Sequence, residues 1–198
     1  MYPKRIHDNS ARGPERPSDD ERTDGTINIQ AFLFNVFGGL DNLAHILICE
    51  KQLIRADGKS FPSKQIGLGP DNINFRAAIS SELSSYLATL DDWFGYLADF
   101  RHALAHRIPI YIPPYIITSA AKDEYERLEN EKAQAFIAHN IERAFQLDEA
   151  QDALGQFEPI MTHSPLESPG FIAFHREILV DFYTIEEVAE KVLDELRR

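Results

Sequence analysis

Cysteine is all but missing from this chain. Cys49 stands alone among 198 residues, which excludes an intramolecular disulfide and fits a reducing compartment. It lies in the apolar run HILIC, where a buried, inert thiol is expected. No unbroken apolar run reaches the roughly eighteen residues that would suggest a membrane span, so no membrane contact is expected. The N-terminus lacks the apolar core of a signal peptide, and the reading is a cytoplasmic chain. Gly67-Leu68-Gly69 lacks the third glycine and the preceding strand of a dinucleotide fingerprint, and no HExxH is present. Positive charge is scarce as well: 20 Lys and Arg face 32 Asp and Glu, for a net charge of -12 and a pI near 5.0. A general nucleic-acid scaffold with a broad basic face is thereby excluded, though a small basic cleft is not.

What is present is helical periodicity. A hydrophobic content of 43% suffices for one core, expected over residues 26–198. Residues 1–25 are polar, charged and proline-bearing, with too little to bury to offset their ordering entropy; a disordered tail is expected. Its Lys4, Arg5, Arg12, Arg16 and Arg22 suit an acidic partner. A first helix is expected over 27–51, with Phe32, Val36, Phe37, Leu40, Leu43, Ala44 and Leu47 as its stripe. Gly38-Gly39 in its middle implies a kink or a close helix–helix approach. After a Gly-, Pro- and Ser-bearing loop at 55–71, a second helix is expected to about residue 87, with Ile73, Phe75, Ile79, Leu83, Tyr86 and Leu87 inward. Thr89 to Asp92 offers a cap and first-turn acids for a fresh start. Residues 115–117 read as an extended segment. Residues 120–157 read as helix with a break near His139-Asn140, 157–170 as loop, and 171–196 as a final helix, restarted at Thr184 with Glu187 as a capping box. The fold class is all-α, a bundle of about four to six helices with at most a short ribbon.

The densest chemistry lies in residues 91–115, DDWFGYLADFRHALAHRIPIYIPPY. Trp93, Phe94, Tyr96, Leu97, Phe100, Leu104 and Ile108 recur at helical spacing, and Pro109, Pro113 and Pro114 forbid continuation. Arg101, His102, His106 and Arg107 are thus crowded into the last two turns of a helix.

Arg101, the polar His102 behind it, and His106 resemble the R-polar-x-x-x-H signature of the HEPN superfamily. The aromatic lead-in and the abrupt proline-rich ending resemble it too. The resemblance implies an all-α bundle, usually a homodimer, often a metal-independent endoribonuclease of toxin or defence type with a partner antitoxin. It implies a composite cleft in which His102 orients or contacts phosphate. No cofactor is required.

The residue types suit that chemistry. A metal-free ribonuclease needs a base for the ribose 2′-hydroxyl, and histidine titrates near neutrality. It also needs a cation for the developing phosphorane, and the arginine fork matches phosphate. Five residues along an ideal helix turn by about 500°, so Arg101 and His106 diverge by roughly 140° and one helix does not converge them. A two-fold pairing of two such turns would. Arg107 is placed to bind the nucleic-acid backbone. Asn35 and Asn42, seven apart on one face of the first helix, are candidates for substrate contact, and Asp41 and His45 share another face.

Three alternatives stand beside this reading. Arg101 could pair with Asp99 or Asp41 while His106 caps the helix end. His102 and His106, four apart, could hold a metal with Asp41 and His45, as in a metal-dependent hydrolase. Or the chain is a non-catalytic helical module for RNA, a nucleotide or a protein, which the acidic charge favours because phosphate is repelled at long range. His163, His175 and Asp181 are expected to serve packing or the surface.

Overall fold

The computed structural model describes residues 16–106, 108–163 and 170–198, and of His106 the backbone alone. The first fifteen residues of the expected tail, Arg107, and residues 164–169 of the expected loop lie outside the described residues. Among the described residues the fold is all-α: seven α-helices and one two-stranded ribbon. Their contacts group into two units. One takes Ile112–Pro159 with the described residues up to Asp24; the other takes Gly25–Tyr111 and Ile160–Arg198.

α1, Asp19–Lys51, is the main scaffold of the larger unit from Gly25 onward. It begins well before the expected residue 27, and a local signal explains why. Ser18 and Glu21 form a reciprocal cap: the Glu21 amide donates to Ser18 Oγ at 3.2 Å, and the Ser18 amide donates to Glu21 Oε2 at 2.7 Å. Two acids, Asp19 and Asp20, sit beside the positive end of the helix dipole. The expected tail therefore does not reach residue 25. The buried seam is Ile29, Leu33, Val36, Leu40, Ala44 and Leu47, so Phe32, Phe37 and Leu43 fall to its flanks. Cys49 lies on the outer side and is exposed, which corrects the expected buried thiol. By length and composition alone α1 could cross a membrane. A search for unbroken apolar runs passes it over because Asn35, Asp41 and Asn42 interrupt it.

Gly39 is the point of close approach in α1. A Cβ there would stand 2.7 Å from Ile185 Cδ1, whereas Gly38 faces open space. Gly67 plays a similar part in the following loop, where Asn72 packs against it and a Cβ would meet Asn72 Nδ2 at 2.4 Å. The glycine there serves packing rather than a phosphate.

The expected second helix is two: α2, Ile73–Arg76, and α3, Ser81–Ala88. Ser80 interrupts them by accepting from the Leu83 amide as an N-cap. Ile73, expected inward, is 73% exposed because α2 ends after one turn. Next comes α4, Asp91–His106. Ile108 stands beyond its end and is exposed, not part of the inward stripe. Two residues each make up β1, Ile160–Met161, and β2, Ile172–Ala173, which pair antiparallel with Ile160 opposite Ala173. The chain closes on α7, Phe174–Leu196, unbroken at Thr184, whose hydroxyl donates to the Val180 carbonyl of the preceding turn instead of capping a new helix.

The smaller unit is a helical hairpin of α5, Lys122–Ile137, and α6, Ile141–Leu154. The turn falls where the sequence breaks, with His139 at φ +53 and the Asn140 side chain accepting from the Arg143 amide. Leu128, Ala135, Ala144 and Leu147 form its small core. The extended residues before it bridge through Ile116 to Gln156, and Arg16 donates to the Asp152 and Gly155 carbonyls at the end of α6.

Candidate functional site

Phe94, Leu97, Phe100 and Ala103 are buried and fix the rotation of α4. Arg101 and His102, directly after Phe100, are consequently exposed. The Arg101 guanidinium carbon lies 5.5 Å from the centre of the Phe37 ring on α1. A cation over an exposed ring gains only about 0.5–1 kcal/mol, which biases the side chain without occupying its N–H fork. Neither Asp99 nor Asp41 pairs with it, and among the described residues Arg101 forms no ion pair.

Arg76 is the opposite case. It is 9% exposed, donates to the Leu68 carbonyl at 2.8 Å and the Leu87 carbonyl at 3.4 Å, and pairs with Asp91 at 2.7 Å. That guanidinium ties α2, α3 and the start of α4 together and has nothing left to offer a ligand.

His106 ends α4, but its side chain and Arg107 lie outside the described residues, as does any pairing of His102 with His106. Asn35 and Asn42 are both exposed on α1, and the Asn35 side chain donates to the Ala31 carbonyl at 2.9 Å. At about 100° per residue they point roughly 140–160° away from Phe37. The structure therefore brings Arg101 to Phe37 and not to the two asparagines. Asp41 and His45, four and eight residues beyond Phe37, lie nearer its side of the helix; a ring nitrogen of His45 is 2.8 Å from the Asp41 carbonyl oxygen. Their helical spacing from Phe37 was visible in the sequence, but Phe37 itself read as core.

Behind α4 lies a polar cluster that sequence reasoning left to packing or the surface. Asp181 on α7 is 1% exposed and accepts from the Trp93 indole at 2.8 Å. Burial pushes its carboxyl up to about 6; the Trp93 hydrogen bond opposes this and the Glu177 charge adds to it. The Tyr96 phenol is driven far above its ordinary range, by burial first and then by the Asp181 and Glu177 charges. The Tyr96 hydroxyl is buried beside the Glu177 carboxylate, and Nδ1 of His163 is sealed without a hydrogen-bond partner among the described residues. The His163 ring meets Phe100 edge-on at 4.8 Å, while His175 is exposed. The signal for Asp181 was its spacing: with Val188, Val192 and Glu195 it shares the inner face of α7.

Two further features bear on chemistry. Among the described residues no three His, Cys, Asp or Glu side chains are grouped to hold a metal ion. A shallow groove of about 440 Å³ between α5 and α6 has Ala135 and Leu147 among its lining, with Asn130, Gln134 and Asn140 amides and the Glu131–Arg143 pair. None of the expected site residues lines it.

Set against family models, curated proteins and solved structures, the chain matches none of them. The site has to be judged on its own residues: an exposed arginine with an unoccupied fork and an exposed histidine, on a helix end whose rotation is fixed by a buried aromatic seam.

Proposed function

We propose that this chain is a HEPN-like, metal-independent endoribonuclease of toxin or defence type. Two copies form a composite cleft with RNA as substrate and an antitoxin protein as the natural restraint. His106 takes the 2′-hydroxyl proton, Arg101 clamps the phosphate, His102 orients it, and Arg107 contacts the nucleic acid. The observation that supports this reading is the state of Arg101: exposed, steadied over Phe37, and without a carboxylate among the described residues. An arginine kept for structure resembles Arg76 instead. The decisive experiment incubates purified protein with labelled single-stranded RNA in EDTA, beside an Arg101→Ala/His106→Ala variant. Cleavage by the wild type alone supports the reading; intact RNA across several substrates removes it.

A second reading, a non-catalytic helical module, is favoured by a separate observation. The first turns of α7 expose Leu179, Val180, Phe182 and Tyr183 together, and a broad apolar face suits a protein partner better than RNA. Intact RNA, together with protein binding that Tyr183→Glu abolishes, would select this module.

A further inference from the structure

The same helix carries an inference that reaches beyond the nuclease reading and does not depend on it. Inward, α7 presents Asp181, Val188, Val192 and Glu195. Outward, Leu179, Val180, Phe182 and Tyr183 are 45%, 43%, 50% and 63% exposed. A helix that is apolar on both faces is incompletely covered as it stands.

The charges beside this patch say what covers it. His175 and Arg176 precede the apolar residues; Glu186, Glu187 and Glu190 follow them, and all five are exposed. Among the described residues neither Arg176 nor Glu186 forms an ion pair. The outward stripe therefore runs positive, apolar, negative. Such a stripe is complementary to itself when reversed. Arg176 and Glu186 stand five residues either side of Asp181. A second α7 laid antiparallel about that midpoint sets Arg176 against Glu186 and Leu179 against Tyr183. The two-fold axis makes each of these contacts twice.

We propose that a second copy of this chain docks on the outward face of α7, the two helices antiparallel about a two-fold axis that crosses the helix at the level of residue 181. The apolar residues at its centre supply the affinity, and the flanking charges fix the register and disfavour the parallel arrangement, which would set like charges together.

The test is the oligomeric state of the full chain by sedimentation equilibrium. Wild type should dimerise. Tyr183→Glu, which places a charge at the centre of the face, should leave it monomeric to about 100 µM, with far-UV dichroism unchanged and the thermal midpoint equal to that of the wild type once both are diluted to monomer, because the side chain is exposed in the single chain. Arg176→Glu alone should weaken the dimer about tenfold, since the two-fold axis breaks two flanking pairs at once. Glu186→Arg should do the same, and the two together should restore the wild-type constant to within about threefold. The rescue guards against a Tyr183 variant that merely misfolds. A wild-type monomer at 100 µM overturns the proposal, as does a dimer indifferent to Tyr183→Glu or reversals that fail to rescue each other. Failure of this interface is distinguishable from failure of the nuclease: a monomeric Tyr183→Glu protein that still cuts RNA supports the α7 dimer and removes the composite cleft.

Discussion

The two ends of α4 hold one arginine neighbour each, and the two are treated differently. At the start, Arg76 is buried, satisfies two carbonyls and pairs with Asp91. Towards the end, Arg101 is exposed and rests on an aromatic face with no carboxylate among the described residues. Burying a guanidinium demands that its donors be matched, so a buried arginine is committed to the fold. An exposed one on a ring keeps its donors for something else. Identity and charge are the same; surroundings separate a strut from a candidate clamp.

The largest expected effect breaks this comparison on the functional side. If Arg101 is the clamp, Arg101→Ala and His106→Ala should each reduce RNA cleavage below detection, and EDTA should change nothing. Arg101→Lys should fail as well, because lysine keeps the charge and loses the bidentate fork. The thermal midpoint of Arg101→Ala should stay close to wild type, since only the Phe37 contact is lost. A metal-dependent enzyme would lose activity on chelation. An Arg101→Lys protein that cuts at the wild-type rate would show that charge alone suffices and the phosphate fork is not used.

On the structural side the order reverses. Arg76→Met removes a buried donor set and leaves the Leu68 and Leu87 carbonyls unmatched, a loss of about 2–3 kcal/mol of stability. Urea unfolding should show it as a lower midpoint at unchanged slope. A change under 0.5 kcal/mol, about the effect of an ordinary surface substitution, would mean that Arg76 is no strut.

The helical class and most helix positions were legible because period, proline and caps are local signals. The break at His139-Asn140 was legible for the same reason: a chain reversal there needs a left-handed residue and a new cap, and His139 and Asn140 supply them. The early start of α1 is carried by Ser18 and Glu21, a local cap hidden inside a segment whose low apolar content points to a tail. The exposure of Cys49 was missed because HILIC is apolar on every side and only tertiary packing selects the buried face. At the candidate site, spacing showed that Arg101 and His102 share the last turns of a helix. Spacing could not show that Phe37 lies under Arg101, because that contact joins two elements; without it, the angle that spacing sets between Phe37 and the two asparagines says nothing about Arg101.

The smallest effect sharpens the comparison by repeating it with the opposite charge. Two carboxylates are buried on the inner face of α7, Asp181 and Glu195. Burial alone would raise Glu195, but hydrogen bonds from Ser80 and the Lys51 charge outweigh it and hold its carboxyl below the ordinary value. Asp181 is pushed up to about 6 by burial; among the described residues it has only the Trp93 indole to oppose this, and it faces Glu177 and the neutral Tyr96 phenol. The signs therefore oppose. For Glu195 the unfolded chain binds the proton more tightly, so its contribution is present above the unfolded pKa and lost as pH falls through the lower folded one. For Asp181 the folded chain binds the proton more tightly, so stability falls as pH rises from the unfolded value near 4 to about 6 and stays reduced above it. Asp181→Asn keeps an acceptor for the indole and removes the charge. It should gain about 1–2 kcal/mol at pH 7.5 and almost nothing at pH 4. Glu195→Gln should lose stability at pH 7.5, since the neutral amide forfeits the attraction to Lys51. Urea midpoints of the three proteins across pH 4 to 8 measure both. Were Asp181→Asn to destabilise at pH 7.5 as Glu195→Gln does, the Asp181 charge would be matched by a partner other than Trp93, and the two ends of α7 would follow one rule.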